Sequence, residues 1–318
     1  MEQGCGVDVT GEGAPVSSRD RFRGLMAGIA VGDGLGRPVE GSRAVPDWYV
    51  DDMIARSVRL LYSDDTVMSM ALTESLLECG GFDGADMAQR FAEAWSQEPE
   101  RGYGSNVVMV FGAVRRGIDW NQAAQRQFGG SGSYGNGGAM RVAPVALWAY
   151  PDLEETKRLA AATAKVTHTH PIGVEGAVIQ AVAAHHALRD DFDRATLLAE
   201  LEILIETDEF RTKLEALYRA LESDDDEYAR LHLGCWVAAD KSVLTALYCF
   251  LAGADFEDTI RRALWIGGDT DTIAAMAGAL AGARWGVDSI PVSWVVEGFM
   301  RMLMLADRMH DKREAKNG

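Results

Sequence analysis

Two short acidic clusters each stand where a loop gives way to a helix. The first is Tyr62-Ser63-Asp64-Asp65-Thr66, ahead of the periodic apolar run Thr66–Cys79. The second is Gly267-Gly268-Asp269-Thr270-Asp271-Thr272, ahead of a run of small and apolar residues ending at Arg284. Ser, Thr and Asp in such places are ordinary caps, which accept the first backbone N–H groups and suit the positive end of the helix dipole. The second cluster exceeds that need. Asp269 and Asp271 are crowded with hydroxyls into a turn entered by two glycines, and the following helix is apolar all round. A helix of that kind is buried, so its N-terminus lies inside the protein or in a cleft. Carboxylates gathered in a cleft repel one another unless neutralised, and a divalent cation does this best. The candidate donors are hard oxygens without Cys or clustered His, which favours Mg²⁺ or Mn²⁺ over Zn²⁺. Spacing alone leaves open whether the two clusters meet.

Two glycine-rich segments add to these. Ser131-Gly132-Ser133-Tyr134-Gly135-Asn136-Gly137-Gly138-Ala139-Met140-Arg141 leaves backbone bare, so that N–H groups can converge on an anion such as a pyrophosphate. It fits neither a GxGxxG fingerprint nor a Walker A motif, and a mobile surface loop explains it equally well. In Gly28-Ile29-Ala30-Val31-Gly32-Asp33-Gly34-Leu35-Gly36-Arg37-Pro38-Val39-Glu40 the spaced glycines suit close helix packing, which accounts for all but Asp33 and Glu40.

As an ordered set, GDGLGRPVE, YSDDT, SYGNGGAMRVAP, THTHP and GGDTDT resemble the ADP-ribosylglycohydrolase family, over about Phe22 to Gly286. The resemblance implies an all-helical, single-domain orthogonal bundle with a central cleft that binds two Mg²⁺ or Mn²⁺ ions, which brings the two clusters together. By position it implies Ser63, Asp64, Asp65, Asp269, Asp271 and Thr272 as metal ligands, with Glu40 near the bound ribose. Glu40, Asp65, Asp269 and Asp271 are then the candidate catalytic carboxylates. Ser133, Tyr134, Gly135, Asn136, Gly137, Gly138, Met140 and Arg141 correspond to the segment that holds the diphosphate and distal ribose. His168 and His170, in THTHP, correspond to the adenosine side, where packing or polar bridging is the simpler role for a histidine; His185 and His186 read as structural. Ser63 stands where many members have Thr, which keeps the hydroxyl. Glu98–Gly104 occupies a variable loop that helps select the scissile linkage, and its acidic residues do not align securely. The implied reaction is release of ADP-ribose from an ADP-ribosylated protein, most simply from arginine. Serine-linked or polymeric ADP-ribose is the alternative. A non-catalytic binding protein (the family includes lens crystallins) and a nucleotide phosphohydrolase releasing AMP are readings of other classes.

The elements that must position these residues are helical. Phe22, Leu25, Met26 and Ile29 recur at helical spacing, Gly80-Gly81 reads as a C-cap, and Ile172–Leu188 and Thr272–Arg284 read as buried helices. Thr196–Leu221 reads as one long amphipathic stretch followed by a solvated turn, Asp224-Asp225-Asp226-Glu227; Ser57–Tyr62 is the only strand candidate. The expected organisation is a flexible tail over 1–18, one domain over 19–312 and a C-terminal tail over 313–318. The chain has 318 residues with 31 Lys and Arg against 48 Asp and Glu, a net charge of −17 that argues against nucleic acid as a partner. No uncharged stretch reaches the ~20 residues that span a bilayer, and the N-terminus lacks a signal-peptide pattern. Cys5, Cys79, Cys235 and Cys249 form no CxxC and read as reduced thiols. A cytoplasmic monomer without a membrane partner is the expectation.

Overall fold

The computed structural model describes residues 16–56, 60–294 and 296–317. Its helices are α1 (Ser18–Gly36), α2 (Asp47–Ala55), α3 (Asp64–Cys79), α4 (Gly84–Gln97), α5 (Ser105–Arg115) and α6 (Trp120–Gln125). There follow α7 (Gly137–Met140), α8 (Ala143–Ala149), α9 (Leu153–Ala164), α10 (Pro171–Ala187), α11 (Arg194–Leu204) and α12 (Asp208–Ser223). The chain closes with α13 (Asp226–His232), α14 (Val243–Ala252), α15 (Phe256–Ile266), α16 (Thr270–Trp285) and α17 (Phe299–Asn317). Among the described residues strand pairing is limited to two isolated bridges, Leu60 with Val296 and Gly135 with Ala238. The fold is all-α, as the periodicity and the motif set both implied. Among the described residues no helix is long and apolar enough to cross a membrane.

The centre of the molecule is the antiparallel pair α1 and α16. Gly24, Gly28 and Gly32 recur every four residues along one face of α1 and meet Gly282, Gly278 and Ala274 of α16. A Cβ at any of the three would stand 2.0–2.1 Å from a backbone carbonyl oxygen. The two backbones therefore touch directly, which only glycine on such a face permits. At the end of this seam Gly36 abuts Asp271, so α1 fixes where α16 begins. Around the pair lie α3, α10, α14, α15 and α17, joined in one continuous apolar core.

Several boundaries differ from expectation. Residues 1–15 of the expected N-terminal tail lie outside the described residues, and at its end Ser17 already caps α1, its hydroxyl accepting from Asp20 N at 3.1 Å. The expected C-terminal tail is instead the end of α17, which runs on to Asn317. Of the strand candidate, 57–59 lie outside the described residues, and Leu60 makes a single bridge. The stretch 196–221 is two helices rather than one. Thr207 caps α12 and the Glu175 carboxylate accepts from Thr207 N at 3.1 Å, a tertiary contact invisible to periodicity. Within Asp224–Glu227 only Asp224 is a left-handed turn residue; Asp225 caps α13, and Asp226 accepts from Tyr248 Oη and Arg262, both at 2.8 Å.

Candidate active site

Both acidic clusters open onto one cleft of about 350 Å³. α3 starts at Asp64, two residues earlier than the apolar pattern suggested, so Asp64 and Asp65 occupy its first turn behind the N-cap Ser63. The Ser63 hydroxyl accepts from Asp65 N at 3.2 Å and donates to Asp65 Oδ2 at 2.9 Å. α16 starts with Asp269 at its N-cap and Asp271 in its first turn. The Gly267-Gly268 turn ahead of it has positive φ at both residues, and a Cβ on Gly268 would stand 1.9 Å from Cys235 O. The two clusters touch: the Thr272 hydroxyl donates to Asp65 Oδ2 at 3.3 Å.

Glu40 completes the acidic end. Its loop is pinned to the Gly267-Gly268 turn by Gly41 N donating to Gly268 O at 2.7 Å and Gly268 N donating to Ser42 O at 3.0 Å. Carboxylate oxygens of Glu40, Asp269 and Asp271 thereby lie within 4.8 Å of one another. Asp269 is steadied from the other side by Asn136, whose Nδ2 donates to its Oδ2 at 2.6 Å.

Burial and mutual repulsion push these acids upward, Asp64 to about 7 and Asp271 to about 8. Asp269 rises to about 6, chiefly through burial, against the stabilising bond from Asn136. Asp65 rises well above the usual carboxylate range through burial and the charge of Asp271. Its Oδ1 is buried without a hydrogen-bond partner. An orphaned buried oxygen amid repelling carboxylates and hydroxyls is the donor set that a hard divalent cation satisfies, so these residues fit Mg²⁺ or Mn²⁺.

The opposite end carries little formal charge. Ser133, Tyr134, Gly135, Asn136, Gly137 and Met140 line its wall, while Gly138 lies behind it against Ala164. The His168 ring fills the space beside Gly137, where a Cβ would come within 2.7 Å of it. Its Nδ1 pairs with the Thr167 hydroxyl at 2.7 Å, and burial together with the Arg141 charge lowers its pKa to about 3, so the ring is neutral. Arg141 is wholly buried and contributes to the same wall, donating to Gly137 O, to Thr163 O at 3.2 Å and to the Thr167 hydroxyl at 2.8 Å. His170 caps α10, accepting from Ile172 N at 3.2 Å. His185 pairs with the Thr156 hydroxyl at 3.0 Å, away from the cleft.

Several cleft residues escaped sequence reasoning, among them Ser105, Asn106, Val107, Val237 and two at the aromatic end. Phe128, 47% exposed, lies 5.6 Å from the ring of Tyr134, itself 46% exposed, which makes an open aromatic pair at the mouth. Gln127 lines the same end with its amide N–H groups held by Ala124 O and Thr167 O. Both precede the glycine loop, where an exposed aromatic in a turn carries no sequence signal of its own.

The family model for ADP-ribosylglycohydrolase matches residues 14–318. The chain is 37% identical to a bovine protein named ADP-ribosylhydrolase ARH3, over 96% of this chain and 95% of that protein. It is 30% identical to the ADP-ribosyl-[dinitrogen reductase] glycohydrolase of Rhodospirillum rubrum, over 88% and 90%. A solved ADP-ribosylglycohydrolase-related protein complex superposes with a TM-score of 0.75 at 27% identity, covering 93% of this chain and 98% of that one. The chain belongs to the ADP-ribosylglycohydrolase family. It is a glycosyl hydrolase of ADP-ribosyl linkages.

Proposed function

We propose that this chain hydrolyses the bond at ribose C1″ of an ADP-ribosylated protein, with divalent cations at the acidic end of the cleft and the nucleotide at the other. The observation that carries this reading is the meeting of Asp65 and Thr272, which joins two clusters far apart in sequence at one end of a single cleft. Asp64, Asp65, Asp269 and Asp271, with the hydroxyls of Ser63 and Thr272, are the groups that would hold two Mg²⁺ or Mn²⁺ ions. Such ions supply Lewis-acid activation of water and a template for the ribose hydroxyls. The chain's own residues do the rest. Asn136 and the Asp65–Thr272 bond keep the carboxylates in place. Glu40, exposed beside Asp269 and Asp271, is positioned to take the proton of the attacking water as the oxocarbenium-like ribose forms. Phe128 and Tyr134 offer ring faces to the adenine, and the bare backbone of Ser133–Gly138 faces the diphosphate.

The wall nearest Asp64 favours an O-glycosidic link to a hydroxyl side chain over a link to arginine. Gly102, Gly104, Ser105, Asn106 and Val107 form it, all uncharged. Of the acidic residues close by, Glu98 and Glu297 are both held by Arg101, at 2.7 Å and 2.8 Å, and Glu100 is exposed outside the cleft lining. The wall residues themselves thus offer a guanidinium leaving group no carboxylate of their own. This reading departs from the arginine link expected from the sequence.

Serine-linked and arginine-linked ADP-ribosyl peptides, offered with Mg²⁺, Mn²⁺ or a chelator and analysed by mass spectrometry, test both parts. Free ADP-ribose from the serine-linked peptide, only with metal, is expected. Release from the arginine-linked peptide alone overturns the linkage assignment. Release of AMP, or binding without release, overturns the hydrolase mechanism.

A further inference from the structure

We propose that Asp33 is a positioning residue for the metal site: from α1 it clamps the start of α3, and so fixes Asp64 and Asp65 relative to Asp269 and Asp271. This rests on reading the acidic end of the cleft as a cation site.

Asp33 is wholly buried and is absent from the cleft lining. Its Oδ1 accepts from Ser63 N at 2.8 Å, and its Oδ2 lies 2.9 Å from the same nitrogen. Oδ2 also accepts from Thr66 N at 3.1 Å and from the Thr66 hydroxyl at 2.6 Å. Ser63 is the N-cap of α3 and Thr66 its third residue. Those two N–H groups are the pair that a capping box satisfies within one segment, through the N-cap and third-residue side chains. Here neither local side chain does so. Ser63 turns its hydroxyl to Asp65, Thr66 donates its own to Asp33, and a residue thirty positions upstream holds both ends of the turn. Asp64 and Asp65 are the two residues between the clamped points.

The same helix meets the second cluster three residues further on. A Cβ at Gly36 would lie 2.5 Å from Asp271 Cα and 2.6 Å from Thr270 O. One end of α1 thus abuts both ligand-bearing helix starts, by hydrogen bonds on one side and by backbone contact on the other. A local cap on α3 would satisfy its N–H groups equally well but would leave its distance from α16 to looser packing.

The test is Mn²⁺ affinity measured by calorimetry, with turnover at low and saturating Mn²⁺ alongside. Asp33→Asn keeps the shape but replaces one acceptor oxygen by a donor. Affinity is expected to fall by about 10–100-fold, the range for groups that orient ligands from behind, with turnover largely regained at saturating Mn²⁺. Thr66→Val removes one of the bonds and is expected to weaken affinity by a smaller factor; it decides the matter if Asp33→Asn does not fold. Glu175→Gln is the control. Glu175 makes the same kind of remote cap, on α12, outside the cleft lining, and its replacement should leave Mn²⁺ affinity unchanged. Wild-type affinity in Asp33→Asn overturns the proposal, as does an equal loss in Glu175→Gln. Loss of one Mn²⁺ equivalent without rescue would make Asp33 a ligand instead. If the wild-type chain binds no Mn²⁺, the cation-site reading fails, which is distinct from failure of the clamp.

Discussion

At one end of the cleft five carboxylates converge on two helix starts, and three of them, Asp65, Asp269 and Asp271, are almost wholly buried. At the other end two half-exposed aromatic rings, Phe128 and Tyr134, flank a glycine-rich loop over a neutral histidine and a wholly buried arginine. The acidic end is held from behind at the starts of both helices, by Asp33, Asn136, Cys235 O and the Gly268 turn. The aromatic end is held at its base and open at its rim. The difference teaches what each end requires. Repelling charges must be fixed to a fraction of an ångström to share a cation, whereas stacking on a ring face tolerates small displacements.

If that contrast is right, Asp65→Asn or Asp271→Asn should lower turnover by more than about 100-fold with the helical circular dichroism spectrum unchanged. In the metal-free protein at alkaline pH, where these acids are ionised, either change should raise the melting temperature, since it removes a buried charge that its neighbours repel. A fall in melting temperature would instead make these residues ordinary caps.

Proton linkage gives the next effect. Asp64, Asp269 and Asp271 hold protons up to about 7, 6 and 8 in the folded chain, while unfolded carboxylates lose theirs near 4. Between those limits the folded state binds more protons, so metal-free stability falls as pH rises. A cation needs the deprotonated forms, so Mn²⁺ affinity should rise with pH from 5.5 to 8.5, by roughly tenfold per unit for each proton released. Calorimetry at three pH values checks the slope, and a flat profile would contradict it.

Tyr134→Ala should raise KM about tenfold, in line with the loss of one base-stacking contact, and leave kcat nearly unchanged. A loss in kcat instead would move Tyr134 into the chemistry. The smallest effect is expected at His168. Its ring is already neutral, so His168→Gln should leave the shape of the pH–rate profile unaltered and cost far less than the about 100-fold that losing a general acid or base brings.

Much of this was legible in the sequence where local rules act alone. The buried helices α10 and α16 showed as runs without a polar face, and the glycine spacing of α1 announced a close approach. The second acidic cluster could be seen as exceeding a cap's needs. The meeting of the two clusters could not, because the bond between Thr272 and Asp65 depends on how α1 sets two distant helix starts. Asp33 was visible only as a residue packing left unexplained; its role lies in hydrogen bonds to a helix thirty residues on. Glu175 split one apparent helix into two for the same reason. Arg141 was legible as part of the motif, but its hydrogen bonds to Gly137 O, Thr163 O and the Thr167 hydroxyl, which tie the wall together, were not.

The central claim, that the acidic end is a two-cation site, is tested most directly by anomalous diffraction from crystals soaked in Mn²⁺. Two peaks between the Asp64–Asp65 and Asp269–Asp271 pairs are predicted, both absent in Asp65→Asn crystals. Peaks elsewhere, or none at this end at saturating Mn²⁺, would contradict it.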